Sequence, residues 1–411
     1  MIRFVHTADI HFGVENYGRI DHNTGIHSRL LDFVKALDFC IEYAIEQDVD
    51  FFLFCGDAYK THHPTQTQQK LLFECFFKLY NRGIPVVIIV GNHDHPLSFG
   101  KTHALNLFGQ LPLDGFYVIE KPDTIVLKTK NGPVQIVGIP WPTRNTVALQ
   151  KDSNGKMATE ITTYIAQAVA TIIKHKAAQL DSALPAVLAA HLTVSSGIFS
   201  GSEKRAVYGT DPVLLPSQLG VPPFDYVALG HLHRFQQLND AMHPPIVYAG
   251  SVERIDFGER KEEKGFCLVT LKNKYTTEVD FIKTPTRPFV YLDAYLDGTL
   301  CQTTQLMKYI QKVDIDNAIV KILYHVPQGK QDAVDIGKIE MALANAWYVA
   351  GIMPVVTHDA RAQRGAIKTS MDFKTALSVY FDTKPDLKNK KHDLLEKAMR
   401  LLDEAEQAHE E

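Results

Sequence analysis

The first half of the chain alternates short apolar runs with stretches that have the apolar spacing of an amphipathic helix. Apolar residues recur every three or four positions between Leu30 and Ile45, which predicts a helix with Ser28 as its N-cap. A second helix is predicted from Thr65 to Tyr80, because Gly83 follows it and suits a helix C-terminus. The unbroken apolar runs predict strands that are covered on both faces, at 2–6, 51–55, 86–90, 134–139, 186–190, 226–229, 246–249 and 266–271.

The pattern restarts after a stretch at 284–288 that contains two prolines. Strand and helix patterns follow at 289–294, 301–313, 318–324 and 332–350, and a polar linker follows at 359–368. Two amphipathic stretches, around 373–381 and 394–405, close the sequence. We therefore expect a main domain at 1–285, a small α/β capping domain at 286–360, and a linker with C-terminal helices at 361–411.

Composition and charge narrow the functional classes. The 411 residues contain 43 Lys and Arg against 47 Asp and Glu, a formal net charge of −4, so the chain does not bind nucleic acid by bulk charge. Crossing a bilayer takes about 18–20 apolar residues, and no run approaches that length. The five cysteines are scattered and predict no disulfide framework. With no signal-peptide pattern at the first residues, we expect a cytoplasmic protein without a membrane association.

Polar side chains that can bind metal come directly after the apolar runs. Because neighbouring parallel strands end at one sheet edge, we expect these side chains to meet in one crevice. For His191 taken alone, a hydrogen-bonded core histidine is an equally good interpretation. The clusters are Asp9-x-His11, Gly56-Asp57, Gly91-Asn92-His93-Asp94, His191, Gly230-His231-Leu232-His233 and Gly250-Ser251.

The chemistry of this donor set favours a pair of divalent cations. It offers carboxylates, an amide oxygen and imidazoles but no sulfur, which suits Mn²⁺, with Mg²⁺ or Fe as alternatives. There are more donors than one ion needs, so we expect two ions about 3.5–4 Å apart that share one carboxylate. Such a pair activates a hydroxide and neutralises a phosphoryl group, which indicates phosphoester hydrolysis.

The order of these motifs resembles that of the calcineurin-like metallophosphoesterase superfamily. The stretch Gly-Ser-Val-Glu-Arg-Ile-Asp-Phe-Gly-Glu at 250–259 is similar to a segment typical of the SbcD-type nucleases of DNA double-strand-break repair and recombination. The resemblance covers residues 1–285. It implies an α/β fold in which a two-sheet β-sandwich is flanked by helices, with the site at one rim.

The resemblance also implies roles for individual residues. Asp57 would bridge the two metals, and His93 would protonate the leaving 3′ oxygen. Asp94 would stabilise the site without binding a metal itself. One ion would be held by Asp9, His11, Asp57 and His233, and the other by Asp57, Asn92, His191 and His231.

Contacts with DNA are less defined by the sequence. Lys60 stands where the family often carries a histidine, and Lys60 or His62 would contact phosphate unless this loop is simply exposed. Lys204 and Arg205 would form a phosphate-binding patch or an ordinary solvated surface.

By this resemblance the chain would be a Mn²⁺-dependent DNA exonuclease and endonuclease that acts on DNA ends and hairpins. The helix around 30–45 would support a homodimer, or be an ordinary core helix. The C-terminal helices would bind the coiled coil of an SbcC-type ATPase, or pack back on the chain. Two other functions stay open: a phosphatase or cyclic phosphodiesterase for small substrates, and a non-catalytic scaffold for DNA ends.

Overall fold

The computed structural model describes residues 1–95, 102–110, 113–143, 158–201, 211–239, 242–297, 299–356, 371–382 and 390–410. The described helices are α1 (Ser28–Glu46), α2 (Gln66–Asn81), α3 (Asn106–Gln110), α4 (Ala158–Ala178), α5 (Pro216–Leu219), α6 (Gln302–Ile310), α7 (Ile336–Ala342), α8 (Phe373–Asp382) and α9 (Lys391–Glu410). A short 3-10 helix spans Phe257–Glu259.

The described strands are β1 (Ile2–Thr7), β2 (Phe51–Phe54), β3 (Val86–Ile89), β4 (Phe116–Ile119), β5 (Asp123–Thr129), β6 (Gly132–Ile139), β7 (Ala186–His191), β8 (Thr193–Val194), β9 (Val213–Leu214), β10 (Tyr226–Gly230), β11 (Gln236–Gln237), β12 (Ile246–Tyr248), β13 (Gly265–Asn273), β14 (Thr276–Lys283), β15 (Phe289–Tyr295), β16 (Ile319–Val326) and β17 (Tyr348–Val356).

Two six-stranded sheets dominate the described residues. Their orders are β14-β13-β1-β2-β3-β4 and β11-β12-β10-β7-β6-β5. Strands β1 to β4 pair in parallel in the first sheet, and β6, β7, β10 and β12 pair in parallel in the second. Parallel pairing sends the carboxyl ends of these strands to a common edge within each sheet, where the loops that follow them collect.

The two sheets face each other across a shared core. Phe4, Phe51 and Val87 of the first sheet join Val187 and Ala228 of the second in one buried cluster. Helices α1 and α2 cover the outer face of the first sheet, and α4 covers that of the second. The predicted α/β class, with a two-sheet sandwich flanked by helices, is therefore confirmed. The runs without polar alternation are strands buried on both faces, as in β2, whose four residues are all buried.

The start of α1 differs from the prediction. The N-cap is His27, whose Nδ1 accepts a bond of 3.3 Å from the Arg29 amide, and Ser28 is the first helical residue. The reason is local, because the Ser28 hydroxyl accepts a bond from the Arg19 amide instead. The predicted second helix is confirmed as α2, and Thr65, its N-cap, forms a reciprocal capping box with Gln68.

The chain forms two compact units. One comprises Met1–Tyr291, Asp314–Lys321 and Asn345–Ala350, and the other comprises Leu292–Val313, Ile322–Ala344 and Gly351–Glu411. The domain limits predicted at 285 and 360 stay a prediction, and the predicted linker at 359–368 lies outside the described residues. A three-stranded sheet has the order β15-β16-β17, and two-residue strands β8 and β9 pair in parallel. Among the described helices, none has the length and apolar character needed to cross a bilayer.

Candidate metal centre

The polar residues after β1, β2 and β10 are held in an unusual backbone conformation. Asp9, His11, Asp57 and His231 have φ angles of 54°, 52°, 61° and 105°, in a region that residues other than glycine seldom adopt. Hydrogen bonds between the loops hold this geometry, from the Asp9 amide to the Gly56 carbonyl (2.9 Å) and from the His11 amide to the Asp57 carbonyl (3.0 Å). Strained conformations of this kind persist where the surrounding structure fixes them, commonly at functional sites.

One donor group joins the loop after β1 to the loop after β10. Asp9, His11 and His233 place one donor atom each within 4.8 Å of one another. The Nε2 atoms of His11 and His233 are only 3.0 Å apart. All three side chains are buried, with His233 the most exposed at 5%.

A second donor group lies at the ends of β2, β3, β7 and β10. Asp57, His191 and His231 again have donor atoms within 4.8 Å of one another. The side-chain oxygen of Asn92 lies between the two imidazoles, 2.9 Å from Nε2 of His191 and 3.0 Å from Nδ1 of His231. Side chains that are as distant in the sequence as Asp57 and His231 are thus collected at neighbouring strand ends.

Asp57 faces both groups. Its Oδ2 is 3.6 Å from Nε2 of His11, and its Oδ1 is 3.5 Å from Nε2 of His191. One carboxylate therefore presents a different oxygen to each donor group. This arrangement, with oxygen and nitrogen donors and no sulfur, fits a pair of divalent cations that share a carboxylate.

Partners behind the imidazoles fix which nitrogen points into the site. His233 donates from Nδ1 to Oε1 of Glu259 (2.8 Å), and His191 donates from Nδ1 to the Cys55 carbonyl (2.7 Å). In each ring this leaves the Nε2 lone pair for a cation. The Nε2 of His231 lies 3.3 Å from Oδ2 of Asp211, so its Nδ1 faces the site.

Glu259 is itself held firmly. Its Oε2 accepts bonds of 2.9 Å from the Ile255 amide and from the ammonium of Lys264, and both charged side chains are fully buried. Burial opposes ionisation, but Lys264 and His233 lower the pKa of Glu259 to about 2. The acceptor behind His233 is therefore a carboxylate at neutral pH.

The charges of the cluster are coupled. Burial raises the pKa of Asp9 to about 7, against the attraction of His191 and His233. Burial also opposes ionisation of Asp57, but the nearby imidazoles, His191 first, hold its pKa well below the usual range. Burial opposes protonation of His191, but Asp57, together with Asp9 and the Cys55 carbonyl, raises its pKa to about 9. Many buried donor atoms lie close together here, and either shared protons or bound cations are needed to stabilise them. Metal binding displaces those protons.

His93 is placed beside the donor groups and is half-buried. Its amide donates to Oδ1 of Asp57 (2.9 Å), and its Nδ1 donates to the carbonyl of Lys60 (2.8 Å), which turns Nε2 away from that contact. Its ring lies 4.9 Å from the ring of His11, at 89°. The backbone and the ring of His93 are thus each fixed by a hydrogen bond, while the side chain stays partly exposed.

The Asp94 side chain accepts hydrogen bonds from backbone amides of two loops. Its Oδ2 accepts bonds from the amides of Asp57 (2.8 Å) and Gly91 (3.0 Å), and its Oδ1 accepts from the Ala58 amide (3.0 Å). The carboxylate therefore clamps the loop after β2 to the loop after β3. Gly91 is required at this junction, because a Cβ there would lie 2.2 Å from Oδ1 of Asp57.

The residues predicted to contact DNA are not part of the donor groups. Lys60 and His62 are half-buried in the loop after β2, and Lys60 reaches the site through its carbonyl bond to His93. Within the described ranges, Nδ1 of His62 is buried and has no hydrogen-bond partner. Lys204 and Arg205 lie outside the described residues.

Sequence reasoning missed three residues around the site. Glu259 belongs to the 250–259 stretch, but the sequence alone indicates no role for it, and Asp211 carries no signal in the sequence. The ring of Trp141 lies 4.8 Å from that of His231, tilted by 33°, and 6.0 Å from that of His191. Trp141 follows β6 by two residues, so the rule that places the ligands after strands also applies to it.

The family model for calcineurin-like phosphoesterases matches residues 2–235. The chain belongs to this family. It is also 26% identical to the SbcD subunit of the nuclease SbcCD from Escherichia coli K12, over 356 residues that cover 83% of this chain and 84% of that protein. The protein of the same name from Escherichia coli O157:H7 matches equally. The predicted resemblance to SbcD within this family is thereby confirmed.

Two solved structures are also similar. The protein TT1561 of Thermus thermophilus aligns with a TM-score of 0.38 and 10% identity, covering 68% of this chain and 98% of that one. A dimetal phosphatase from Danio rerio aligns with a TM-score of 0.38 and 12% identity, covering 69% and 99%. The family assignment supports a metal-dependent phosphoesterase, and the buried His and Asp groups can hold a divalent metal.

Proposed function

We propose that this phosphoesterase is a DNA nuclease of SbcD type, an exonuclease and endonuclease that hydrolyses phosphodiesters with two metal ions. The observation that carries the proposal is the position of Asp57, with one carboxylate oxygen towards each donor group. The similarity to the SbcD subunit over 83% of the chain supports DNA as the substrate. We further propose that the nuclease domain spans 1–285 and is followed by a capping domain at 286–360.

The proposed ligands divide between two ions. One set is Asp9, His11, Asp57 and His233, and the other is Asp57, Asn92, His191 and His231. Mn²⁺ suits this mixture of imidazole, carboxylate and amide oxygen, and Mg²⁺ or Fe would also fit. Bound in this way, the ions would activate water and neutralise the charge of the phosphoryl group.

His93 is the proposed proton donor to the leaving oxygen. The bond from Nδ1 to the Lys60 carbonyl fixes the ring and leaves Nε2 as the nitrogen that hands over the proton. The ring is half-buried, so a substrate can reach Nε2. Asp94 would preserve the distance between His93 and Asp57 by clamping the two loops that carry them.

The proposed partners are DNA ends and hairpins, an SbcC-type coiled-coil ATPase and a second copy of the chain. Helices α8 and α9 expose apolar side chains, with Phe373 at 50%, Tyr380 at 43% and Leu401 at 54%, which supports docking of a partner helix. In α1 the apolar positions Leu30, Phe33 and Leu37 are buried in the core, so a homodimer would use other residues of that helix. We propose a cytoplasmic location for this complex.

A comparison of substrates tests the function. Purified protein with Mn²⁺ is incubated with linear duplex DNA, with a DNA hairpin, and with the chromogenic diester bis(p-nitrophenyl) phosphate. We expect both DNA substrates to be cleaved, and the same reactions in EDTA to be inactive. Hydrolysis of the small diester with intact DNA would contradict the proposal in favour of a small-substrate phosphodiesterase, and no hydrolysis with any metal would favour a scaffold.

A further inference from the structure

A cavity of about 370 Å³ opens beside the segment that carries His233. Arg234 and Lys261 line it as exposed side chains. Phe235 and Phe281 stack within its wall, with ring centroids 4.2 Å apart and planes 20° apart. The cavity therefore combines an apolar wall with two basic groups at its margin.

The acidic groups of the cavity are already paired inside the protein. Glu262 accepts bonds from the ammonium of Lys264 (3.1 Å) and from the hydroxyl of Ser200 (2.9 Å). Glu263 forms an ion pair with Lys283. Each of these two carboxylates thus has a cationic partner in the chain, and the Lys264 ammonium is shared between Glu262 and Glu259.

The three basic residues that line the cavity differ in whether their charged groups bond within the chain. Arg260 donates to the Phe257 carbonyl (2.9 Å) and lies over the ring of Tyr291, so its guanidinium is used within the chain. In the described part of the chain, Arg234 and Lys261 have no ion pair. Two uncompensated positive charges at the margin of a cavity favour an anionic ligand.

Residues that line the cavity are next in the chain to two residues of the metal centre. Arg234 directly follows His233, and Arg260 and Lys261 directly follow Glu259, which is bonded to Nδ1 of His233. An anion held by Arg234 and Lys261 would therefore sit next to the ligand segment. For a polymeric phosphodiester, phosphates that flank the cleaved one are the anions available there.

We propose that Arg234 and Lys261 bind backbone phosphates of the DNA strand that flank the phosphate at the metal centre. This rests on the proposed nuclease function and adds two phosphate-binding residues next in the chain to a proposed metal ligand. The cavity would read no base, because phosphate contacts set position and carry no sequence information.

The test measures how binding of a fluorescent 30-base-pair duplex depends on salt, in EDTA so that no cleavage occurs. Each lost phosphate contact reduces the slope of log K against log salt by about 0.9, which is about eightfold in affinity at 0.1 M salt. We expect this loss for Arg234→Ala and for Lys261→Ala, and about twice the slope change for the double variant. Arg234→Lys should restore the slope.

The matched control is Lys128→Ala, which removes an exposed lysine on β5, away from the cavity lining. Unfolding midpoints of all variants show whether each is folded. Slopes equal to that of Lys128→Ala, while the wild type cleaves DNA with Mn²⁺, would overturn the cavity assignment alone. A wild type that neither binds nor cleaves DNA would overturn the nuclease function and this assignment together.

Discussion

Replacing Glu259 by glutamine removes one negative charge and keeps the shape of the side chain. The carboxylate accepts from His233 on one oxygen, and from Ile255 and the buried Lys264 ammonium on the other. A carboxamide has a single acceptor oxygen, which the charged Lys264 will retain because charge-assisted bonds are the stronger ones. The NH₂ group then faces Nδ1–H of His233, and relief of that clash moves the proton to Nε2.

With the proton on Nε2, the nitrogen of His233 that faces the site no longer has a free lone pair to bind a cation. Loss of a partner behind a metal-binding histidine typically reduces metal affinity by about 10–100-fold, or about 1.4–2.8 kcal/mol. Isothermal titration with Mn²⁺ measures this, and Glu278→Gln, an exposed partner of Lys272 on β14, is the matched control. If Glu259→Gln binds Mn²⁺ as tightly as Glu278→Gln does, the orientation of His233 does not depend on Glu259 and the reasoning is wrong.

Two further predictions concern other histidines. His93→Ala should keep Mn²⁺ stoichiometry and DNA affinity but lose about 100-fold or more in kcat, because general acid catalysis contributes about 10²–10⁴-fold; wild-type kcat would refute the proton-donor role. His6 is fully buried between Tyr226 and Leu229, and burial lowers its pKa from 6.5 to about 3. The unfolded chain therefore binds the extra proton between these values, so stability is complete above pH 6.5 and falls towards pH 3 by up to about 5 kcal/mol. Urea unfolding of wild type and His6→Gln between pH 4 and 7 checks this, and equal pH slopes would contradict it.

The collection of the donor residues at the strand ends could be predicted because one physical rule places them. Apolar runs without alternation mark strands covered on both faces, and parallel strands end together. Asp9, Asp57 and His191 all follow such runs, and the structure places Asp9 in one donor group and Asp57 with His191 in the other. The rule needs only the period of the apolar pattern, which the sequence shows directly.

Other features depend on contacts that no local pattern encodes. Strands β4, β5 and β14 were not predicted, and all three lie at sheet edges. β5 has one buried residue and β14 has none, so neither carries a long apolar run. The N-cap of α1 moved to His27 because the hydroxyl of Ser28 is used by Arg19. Asp211 reaches His231 from 20 positions away along the chain, which is a matter of tertiary packing.

The claim that Asp57 bridges two cations is tested most directly by an anomalous difference map from a crystal soaked in Mn²⁺. We predict two peaks per chain, about 3.5–4 Å apart, with the Asp57 carboxylate between them. One peak would be bounded by His11 and His233 and the other by His191 and His231. A single peak, no peak, or two peaks of which only one touches Asp57 would contradict the account.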